Sequence, residues 1–128
     1  MLSTTAEWVS KAEGDFDVVS LLLRSRKRNR YDAICFHAQQ CVEKYLKGRM
    51  VEAGIPFSKT YDLRALLNFV SGVEPLWVMF SAEFKLLSES AVLPRYPGMN
   101  ADNADERTAV KTCRRFRQVA RLSLGLKP

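Results

Sequence analysis

The chain has 128 residues, of which 47% are hydrophobic and 27% charged, and its formal net charge is +6. This size and composition are typical of one globular domain that buries its own core. No apolar run approaches the roughly 20 residues that cross a bilayer, and the first residues do not resemble a signal peptide, so the expected location is the cytoplasm.

The sequence also argues against a metal site or a bound cofactor. It contains no Gly-rich phosphate loop, no second acid near enough to Glu43 to suggest a carboxylate pair, and no cluster of His and Cys with metal-ligand spacing. Its three cysteines, Cys35, Cys41 and Cys113, are odd in number and lie among apolar residues. We therefore interpret them as core thiols rather than as disulfides or ligands.

The positive charge is concentrated in two short blocks. Residues 24–30 hold five Lys and Arg and no acid, and residues 107–128 hold seven and no acid. If the blocks meet in space, they form a patch suited to phosphate or to an acidic partner protein. Solvated faces are the more ordinary explanation, and the basic face of the second block carries no aromatic residue of the kind that a single-strand nucleic-acid platform needs.

Helical periodicity extends over nearly the whole chain without a hairpin signal, which predicts an all-α protein. The first helix is predicted to begin at Thr4, where Glu7 is spaced to complete a capping box, and to end near Leu23. One stripe of this helix is apolar: Trp8, Ala12, Phe16, Val19 and Leu23.

The second predicted helix has two different faces. It is expected to follow Asp32 as a cap and to reach about Ala53 before Gly54 stops it. The apolar face holds Ile34, Ala38, Cys41, Val42, Tyr45 and Leu46. The opposite, polar face holds His37, Gln40, Lys44 and Lys47. One face suits a core and the other suits a polar ligand or solvent.

Two further helices are predicted before a long loop. A short third helix follows Asp62 with four apolar residues on its buried side: Leu63, Leu66, Leu67 and Val70. A fourth begins at Pro75, which suits a first helical turn. Its predicted buried residues are Leu76, Phe80, Phe84, Leu87 and Ala91. Residues 93–102 contain two prolines and a glycine and are predicted to form a loop.

The last predicted helix is strongly basic and amphipathic. It starts near Asn103, with Glu106 in position to complete a cap, and extends to about Leu124. Its apolar face holds Ala109, Cys113, Phe116 and Ala120, and its basic face holds Arg107, Lys111, Arg114 and Arg121. No repeat or linker interrupts the chain, so we expect a single domain over residues 1–128.

Three sequence motifs occur in one order. They are residues 36–47 (FHAQQCVEKYLK), residues 59–63 (KTYDL), and Arg95-Tyr96-Pro97 before the final helix. In this combination the chain resembles the HEPN family over essentially its whole length. The resemblance implies an up-and-down bundle of four to five helices, commonly dimeric. It also implies association with a minimal nucleotidyltransferase, in some members as a toxin and antitoxin pair.

The chain departs from the HEPN pattern at two points. Tyr61 stands where many relatives have a His, so a proton carrier is lost there. The RNA-cleaving branch uses an Arg, four to six intervening residues and a His, usually toward the C-terminal half. The one histidine here is His37, and Arg30 meets that spacing. We interpret the match as coincidence, because Asp32 resembles a cap that starts the helix after Arg30. The alternative is a metal-independent ribonuclease that uses Arg30 and His37.

Arg95 and Tyr96 are the main candidates for ligand binding. A planar guanidinium beside an aromatic ring suits a phosphate and a base. If their loop folds over the second helix, its polar residues add charge and form the floor: His37, Gln40, Lys44 and Lys47. In the structural alternative, Tyr96 plugs the bundle end and Arg95 pairs with Glu43.

The sequence therefore predicts a non-catalytic HEPN module that binds a nucleotide or a nucleotidyltransferase and forms a homodimer. RNA is a further ligand class compatible with the basic blocks. A free-standing nucleotide-binding subunit without a transferase partner is a third alternative.

Overall fold

The computed structural model describes residues 1–25, 27, 30–92 and 96–128. Within these ranges the chain forms helices and no strands, which confirms the all-α prediction. The helices are α1 (Ser3–Arg24), α2 (Arg30–Ala53), α3 (Leu63–Val70), a 3-10 helix (Pro75–Phe80), α4 (Ser81–Val92) and α5 (Asn103–Ser123). None of the described helices is long and apolar enough to cross a membrane.

Helix α1 packs antiparallel to α2 at close range. The backbone N–H of Leu2 donates to the Glu52 carboxylate at 2.8 Å, so the start of α1 lies beside the end of α2. One turn before that end, Gly48 allows the close approach. A Cβ at Gly48 would lie 3.2 Å from the Cβ of Trp8, which is tighter than ordinary packing permits.

Helices α2 and α5 run in the same direction. Arg30 Nε donates to Glu106 at 3.0 Å near the start of both helices. Arg49 Nε donates to the Ser123 hydroxyl at 2.9 Å near their ends. Since α1 is antiparallel to α2, it is antiparallel to α5 as well.

Helix α4 runs antiparallel to α5. Near its start, Glu83 accepts a hydrogen bond from Arg115 at 2.5 Å. Near its end, Ser90 lines a cavity with Asp105, which lies ten residues earlier on α5. The four long helices therefore alternate in direction along the chain, which is the up-and-down bundle that the HEPN resemblance implies.

The core is built around the apolar face of α2. All six residues predicted for that face have no exposed surface: Ile34, Ala38, Cys41, Val42, Tyr45 and Leu46. The three cysteines are buried and free, as predicted for core thiols. Burial raises the pKa of the Cys35 thiol to about 11, so it stays protonated and unreactive at neutral pH.

An aromatic cluster closes the other side of the core. The Phe116 ring of α5 contacts Trp77, Phe80 and Phe84 edge to face, with centroid distances of 4.9, 5.3 and 5.1 Å. Such pairs stabilise a core beyond the area they bury. The prediction of Leu76 as a core residue is wrong, since that side chain is 80% exposed. The 3-10 helix has three residues per turn, which turns Trp77 and Phe80 inward instead.

Two predicted caps at the first two helices are wrong. Helix α1 begins at Ser3 after Leu2, which makes no side-chain cap, so Thr4 lies inside the helix and cannot form a capping box with Glu7. Helix α2 begins at Arg30, two residues before Asp32. The Asp32 carboxylate instead accepts a hydrogen bond from the backbone N–H of Ala101 at 2.7 Å.

The later helix ends follow the sequence more closely. Asp62 caps α3 by accepting from the Arg64 N–H at 3.0 Å, and the four predicted residues of α3 are buried. Gly54 ends α2 with a φ of +70°, which favours glycine. Helix α5 is capped by a box between Asp102 and Asp105, not by Glu106 as predicted.

Candidate functional site

Two predicted site residues of α2 meet at one carboxylate of α1. Asp15 is 8% exposed. Lys44 Nζ donates to its Oδ2 at 2.5 Å, and His37 Nδ1 lies 2.8 Å from its Oδ1. Residues 37 and 44 are two helical turns apart and point to the same side. The carboxylate fixes the His37 ring and neutralises Lys44, so an anionic ligand at this place would compete with Asp15.

Asp15 was not among the predicted site residues, although the sequence carries a signal for it. Trp8, Ala12, Asp15 and Val19 follow one helical stripe, so an acid interrupts an otherwise apolar face. A buried acid of this kind needs charged or hydrogen-bonding partners. That spacing therefore indicates a polar contact across the α1–α2 interface, but it does not identify the partners.

Lys47, a third predicted site residue, points into the protein. Its side chain is 10% exposed, and Nζ lies 3.6 Å from Glu43 Oε1. The ammonium also lies 5.7 Å from the ring centroids of Trp8 and Phe57 and 5.8 Å from that of Tyr61. Burial raises the pKa of Glu43, and the positive charge of Lys47 opposes that rise. The Lys47 charge is thus taken up by a carboxylate and three aromatic faces.

Gln40 belongs to a chain of amides that reaches the second sequence motif. Its Nε2 donates to Gln39 Oε1 at 2.8 Å and to Glu43 at 3.4 Å. Gln39 Nε2 in turn donates to the backbone carbonyl of Tyr61 at 3.0 Å. Gln39 is 4% exposed and was not predicted as a site residue. These contacts hold the KTYDL segment against the middle of α2.

The loop with the third motif leaves and returns at defined places. Val92, the last residue of α4, lines a cavity of about 360 Å³ with Asp62 and Arg64 at the start of α3. At the other end, Ala101 is bonded to Asp32. The described ends of this loop therefore lie at two places: Val92 beside the start of α3, and Ala101 beside Asp32 in the first turn of α2.

The predicted ligand-binding residues of that loop differ in how far the structure describes them. Tyr96 is 62% exposed, so its ring is accessible to a ligand. Arg95 lies outside the described residues, and its predicted contacts with phosphate or with Glu43 remain predictions. Glu43 is bonded to Gln40 and paired with Lys47 on its own helix.

The two residues of the alternative ribonuclease motif bind different helices. Arg30 donates through Nε to Glu106 Oε1 at 3.0 Å and through Nη2 to Oε2 at 3.4 Å, both on α5. Its Nη1 also donates to the backbone carbonyl of Ser25. His37 is held by Asp15 on α1. Arg30 and His37 have the spacing of the ribonuclease motif, but their side chains do not bind the same group.

A second, partly buried polar network joins α1, α2 and α5. Arg117 binds Glu13 through two hydrogen bonds of 2.7 and 2.6 Å, and the Tyr45 hydroxyl donates to the same carboxylate at 2.5 Å. Arg121 donates to the Tyr45 hydroxyl at 3.1 Å. Burial and the contact with Glu13 raise the pKa of Tyr45, so the phenol stays neutral. The network has no predicted site residue in it, and its bidentate geometry is that of a structural clamp.

Described residues of the two basic blocks adjoin at the start of α5. Arg30 of the first block binds Glu106, whose chain neighbour Arg107 opens the second. Leu23, just before the first block, lines an open groove with Arg107 and Lys111. In the described part of the chain, the first block therefore meets the start of the second, although Arg30 itself is paired with Glu106.

Within the described ranges, no group of three or more His, Cys, Asp or Glu side chains is arranged to hold a metal ion. The arrangement instead offers hydrogen-bonding amides, a histidine held by a carboxylate, an exposed tyrosine and a basic groove. These groups can bind an anionic or aromatic ligand without covalent chemistry.

Comparison with known proteins gives two matches. A sequence model of the HEPN domain matches residues 5–123. A curated protein of Methanocaldococcus jannaschii, named "Putative toxin MJ1304", is 31% identical over 96 residues, which cover 70% of this chain and 61% of that protein. The chain thus spans less than two thirds of the length of this relative. No solved structure matches the chain.

Proposed function

The chain belongs to the HEPN domain family, and on that premise we propose that it is a non-catalytic binding module of a toxin–antitoxin-type pair. Its partner in this proposal is a minimal nucleotidyltransferase, and its small ligand is a nucleotide. The similarity to a relative named as a toxin supports the pairing. The module works as a homodimer in the cytoplasm.

The observation that carries the non-catalytic assignment is the separation of Arg30 from His37. Metal-independent RNA cleavage needs a general acid or base and a cation at the same phosphate. Arg30 is engaged by Glu106 on α5, and His37 by Asp15 on α1. Two helical turns place both positions on one side of α2, but their side chains bind carboxylates of different helices. Both side chains would have to leave buried carboxylates to act together.

The nucleotide site in this proposal is carried by the loop that follows α4, whose last residue, Val92, lines a cavity with Asp62 and Arg64. Arg95 binds a phosphate and Tyr96 stacks on the base. The exposure of the Tyr96 ring supports this role. The polar residues of α2 form the floor of the proposed site: His37, Gln40, Lys44 and Lys47. Asp15 and Glu43 already pair with Lys44 and Lys47, so Arg95 supplies the cation for the phosphate in this proposal.

Thermal unfolding with added nucleotides tests the ligand site. A nucleotide at ten times its Kd stabilises the fold by about 1.4 kcal/mol, which raises Tm by ~4 °C in a domain of this size. We expect this shift with millimolar ATP or GTP, and its loss in Tyr96→Ala. Phe69→Ala, which removes another exposed aromatic ring at the far end of α3, is the matched control. No shift with any nucleotide at about 5 mM would argue against the site.

Copurification tests the protein partner separately. The tagged chain, expressed in its native cells, is expected to retain a small protein with a Gly-Ser and paired-Asp nucleotidyltransferase signature at moderate salt. Light scattering on the isolated chain is expected to give the mass of a dimer. Recovery of the chain without any nucleotidyltransferase would contradict the pairing and favour a free-standing nucleotide-binding subunit.

A further inference from the structure

A groove on the outer side of α5 combines an apolar floor with a basic wall. It has a volume of about 580 Å³ and runs along α5 beside the last residues of α1. Leu23 and Val110 contribute its apolar surface, and Val110 is 6% exposed. Arg107, Lys111 and Arg114 follow one side of it, at the i, i+4 and i+7 positions of a helical stripe.

The charge of this wall is not neutralised by ion pairs within the described part of the chain. Arg107, Lys111 and Arg114 are exposed, and none of the ion pairs formed by the described residues includes them. Two other charged residues of the groove do have partners: Glu106 pairs with Arg30, and Arg115 pairs with Glu83. The groove therefore presents three cations without ion-pair partners in the described part of the chain, beside a small apolar surface to which the 6% exposed Val110 contributes little.

The first basic block adds to the same field. The Arg30 side chain binds both Glu106 and the Ser25 carbonyl, so Ser25 lies near the start of α5. Lys27, between α1 and α2, is exposed. Together with the three cations of the groove wall, Lys27 attracts an anionic partner and speeds its association at low salt.

We infer that this groove binds an acidic amphipathic helix of a partner protein. The stripe from Arg107 to Gln118 extends about 16 Å, or three helical turns, which is long enough for a helix with two or three anchors. Apolar anchors of that helix pack on Leu23 and Val110, while its carboxylates face the cations. The described lining has no aromatic ring on which a nucleic-acid base could stack, and a phosphate backbone gains nothing from an apolar floor.

The groove lies on a different part of the molecule from the nucleotide site. It is formed by the outer side of α5 and the end of α1, whereas the first and second motifs meet between α2 and the segment before α3. Binding of an acidic helix is therefore independent of whether the chain binds a nucleotide. A partner of any activity that carries such a helix fits this surface.

A synthetic peptide tests the inference on the full chain. The probe has roughly 18 residues, with Leu at helical spacing and Glu along both flanks. A peptide of the same composition with its Leu positions scrambled controls for charge alone. Fluorescence anisotropy is expected to show micromolar binding of the first peptide, weakening as salt is raised, and at least tenfold weaker binding of the second.

Matched charge reversals locate the binding. Arg107→Glu, Lys111→Glu and Arg114→Glu together should weaken binding of the peptide by tenfold or more. Lys11→Glu, Lys59→Glu and Lys85→Glu together change the net charge equally at exposed positions outside the groove and should leave binding unchanged. If the groove triple variant does not fold, Lys111→Glu alone replaces it, with about threefold weaker binding expected.

Three results would overturn the inference. The first is equal binding of the ordered and scrambled peptides, and the second is equal loss in the groove and control variants. The third is tighter binding of a labelled single-stranded RNA than of the peptide, with RNA binding lost in the groove triple variant but kept in Leu23→Ala. That pattern describes a site for phosphate rather than for a helix. Leu23→Ala is expected to weaken binding of the peptide and to leave its salt dependence unchanged.

Discussion

Arg30 and Glu106 join the first turns of α2 and α5, although 76 residues separate them in the sequence. The Glu106 side chain is 5% exposed and that of Arg30 is 22% exposed. A carboxylate this deeply buried is costly without a partner, and the fork of the guanidinium supplies two hydrogen bonds. The pair explains why Glu106 does not serve as the cap of α5, and it assigns Arg30 a structural role.

Removal of Arg30 should destabilise the fold. Arg30→Ala leaves Glu106 buried and uncompensated, so we expect the free energy of unfolding to fall by about 3 kcal/mol. The double variant Arg30→Met, Glu106→Leu removes both charges and should recover most of that loss. Urea denaturation of the two variants and the wild type measures both effects. A change of less than ~0.5 kcal/mol in Arg30→Ala would show that the pair does not hold the helices together.

Glu13 should make stability sensitive to acid. Burial alone would raise the pKa of Glu13, but the hydrogen bonds from Arg117 and Tyr45 outweigh it and hold the pKa below the ordinary 4.5. The stabilisation is therefore complete above pH ~4.5 and is lost as the pH falls through the lower, folded-state pKa. Glu13→Gln does not titrate. Its deficit relative to the wild type, about 2 kcal/mol at neutral pH, should shrink in acid, as measured by urea denaturation from pH 7 to pH 3.

Glu43→Gln is the matched control, because the pKa of Glu43 is shifted in the opposite direction from that of Glu13. Burial raises the pKa of Glu43 above the ordinary 4.5 despite the nearby Lys47. The folded protein therefore binds the proton more tightly than the unfolded chain, and the wild type loses stability relative to Glu43→Gln as the pH rises past ~4.5. If the stability of Glu13→Gln and of Glu43→Gln relative to the wild type changed in the same direction with pH, the opposite pKa shifts of Glu13 and Glu43 would be contradicted.

Two glycines in helices should respond oppositely to substitution. A methyl group added at Gly14 of α1 would have no neighbouring atom within 4 Å, so Gly14→Ala should raise stability by up to ~1 kcal/mol through helix propensity. Gly48 of α2 faces Trp8 at close range, so Gly48→Leu should force α1 away and cost ~3 kcal/mol. Thermal unfolding of Gly14→Ala and Gly48→Leu measures both effects. A stabilised Gly48→Leu would mean that α1 does not pack on α2 at this point.

The sequence predicted the helices well because their periodicity is local information. The apolar face of α2 and the four buried residues of α3 were identified from spacing alone. The error at Leu76 arose because a 3-10 turn after Pro75 changes the register by about a third of a turn, and no residue in that segment marks the change. The capping errors arose where acids bind distant groups, as Asp32 binds Ala101.

The candidate site was less predictable, because it depends on contacts between helices. The polar face of α2 was found from its spacing, but that face is largely covered: Asp15 binds His37 and Lys44, and aromatic rings enclose Lys47. An acid within the stripe of α1 indicated a polar interface without naming its partners. Pairings across 22 to 104 residues, such as Asp15 with His37 or Glu13 with Arg117, require the packed bundle.

RNA cleavage by the purified chain in the presence of EDTA tests the central claim most directly. A non-catalytic HEPN module should leave a labelled RNA as intact as buffer alone, and His37→Ala and Arg30→Ala should give the same result. Both variants need a folding control by circular dichroism, because Arg30 is expected to stabilise the bundle. Cleavage by the wild type that disappears in folded His37→Ala would contradict the claim and assign the chain to the ribonuclease branch.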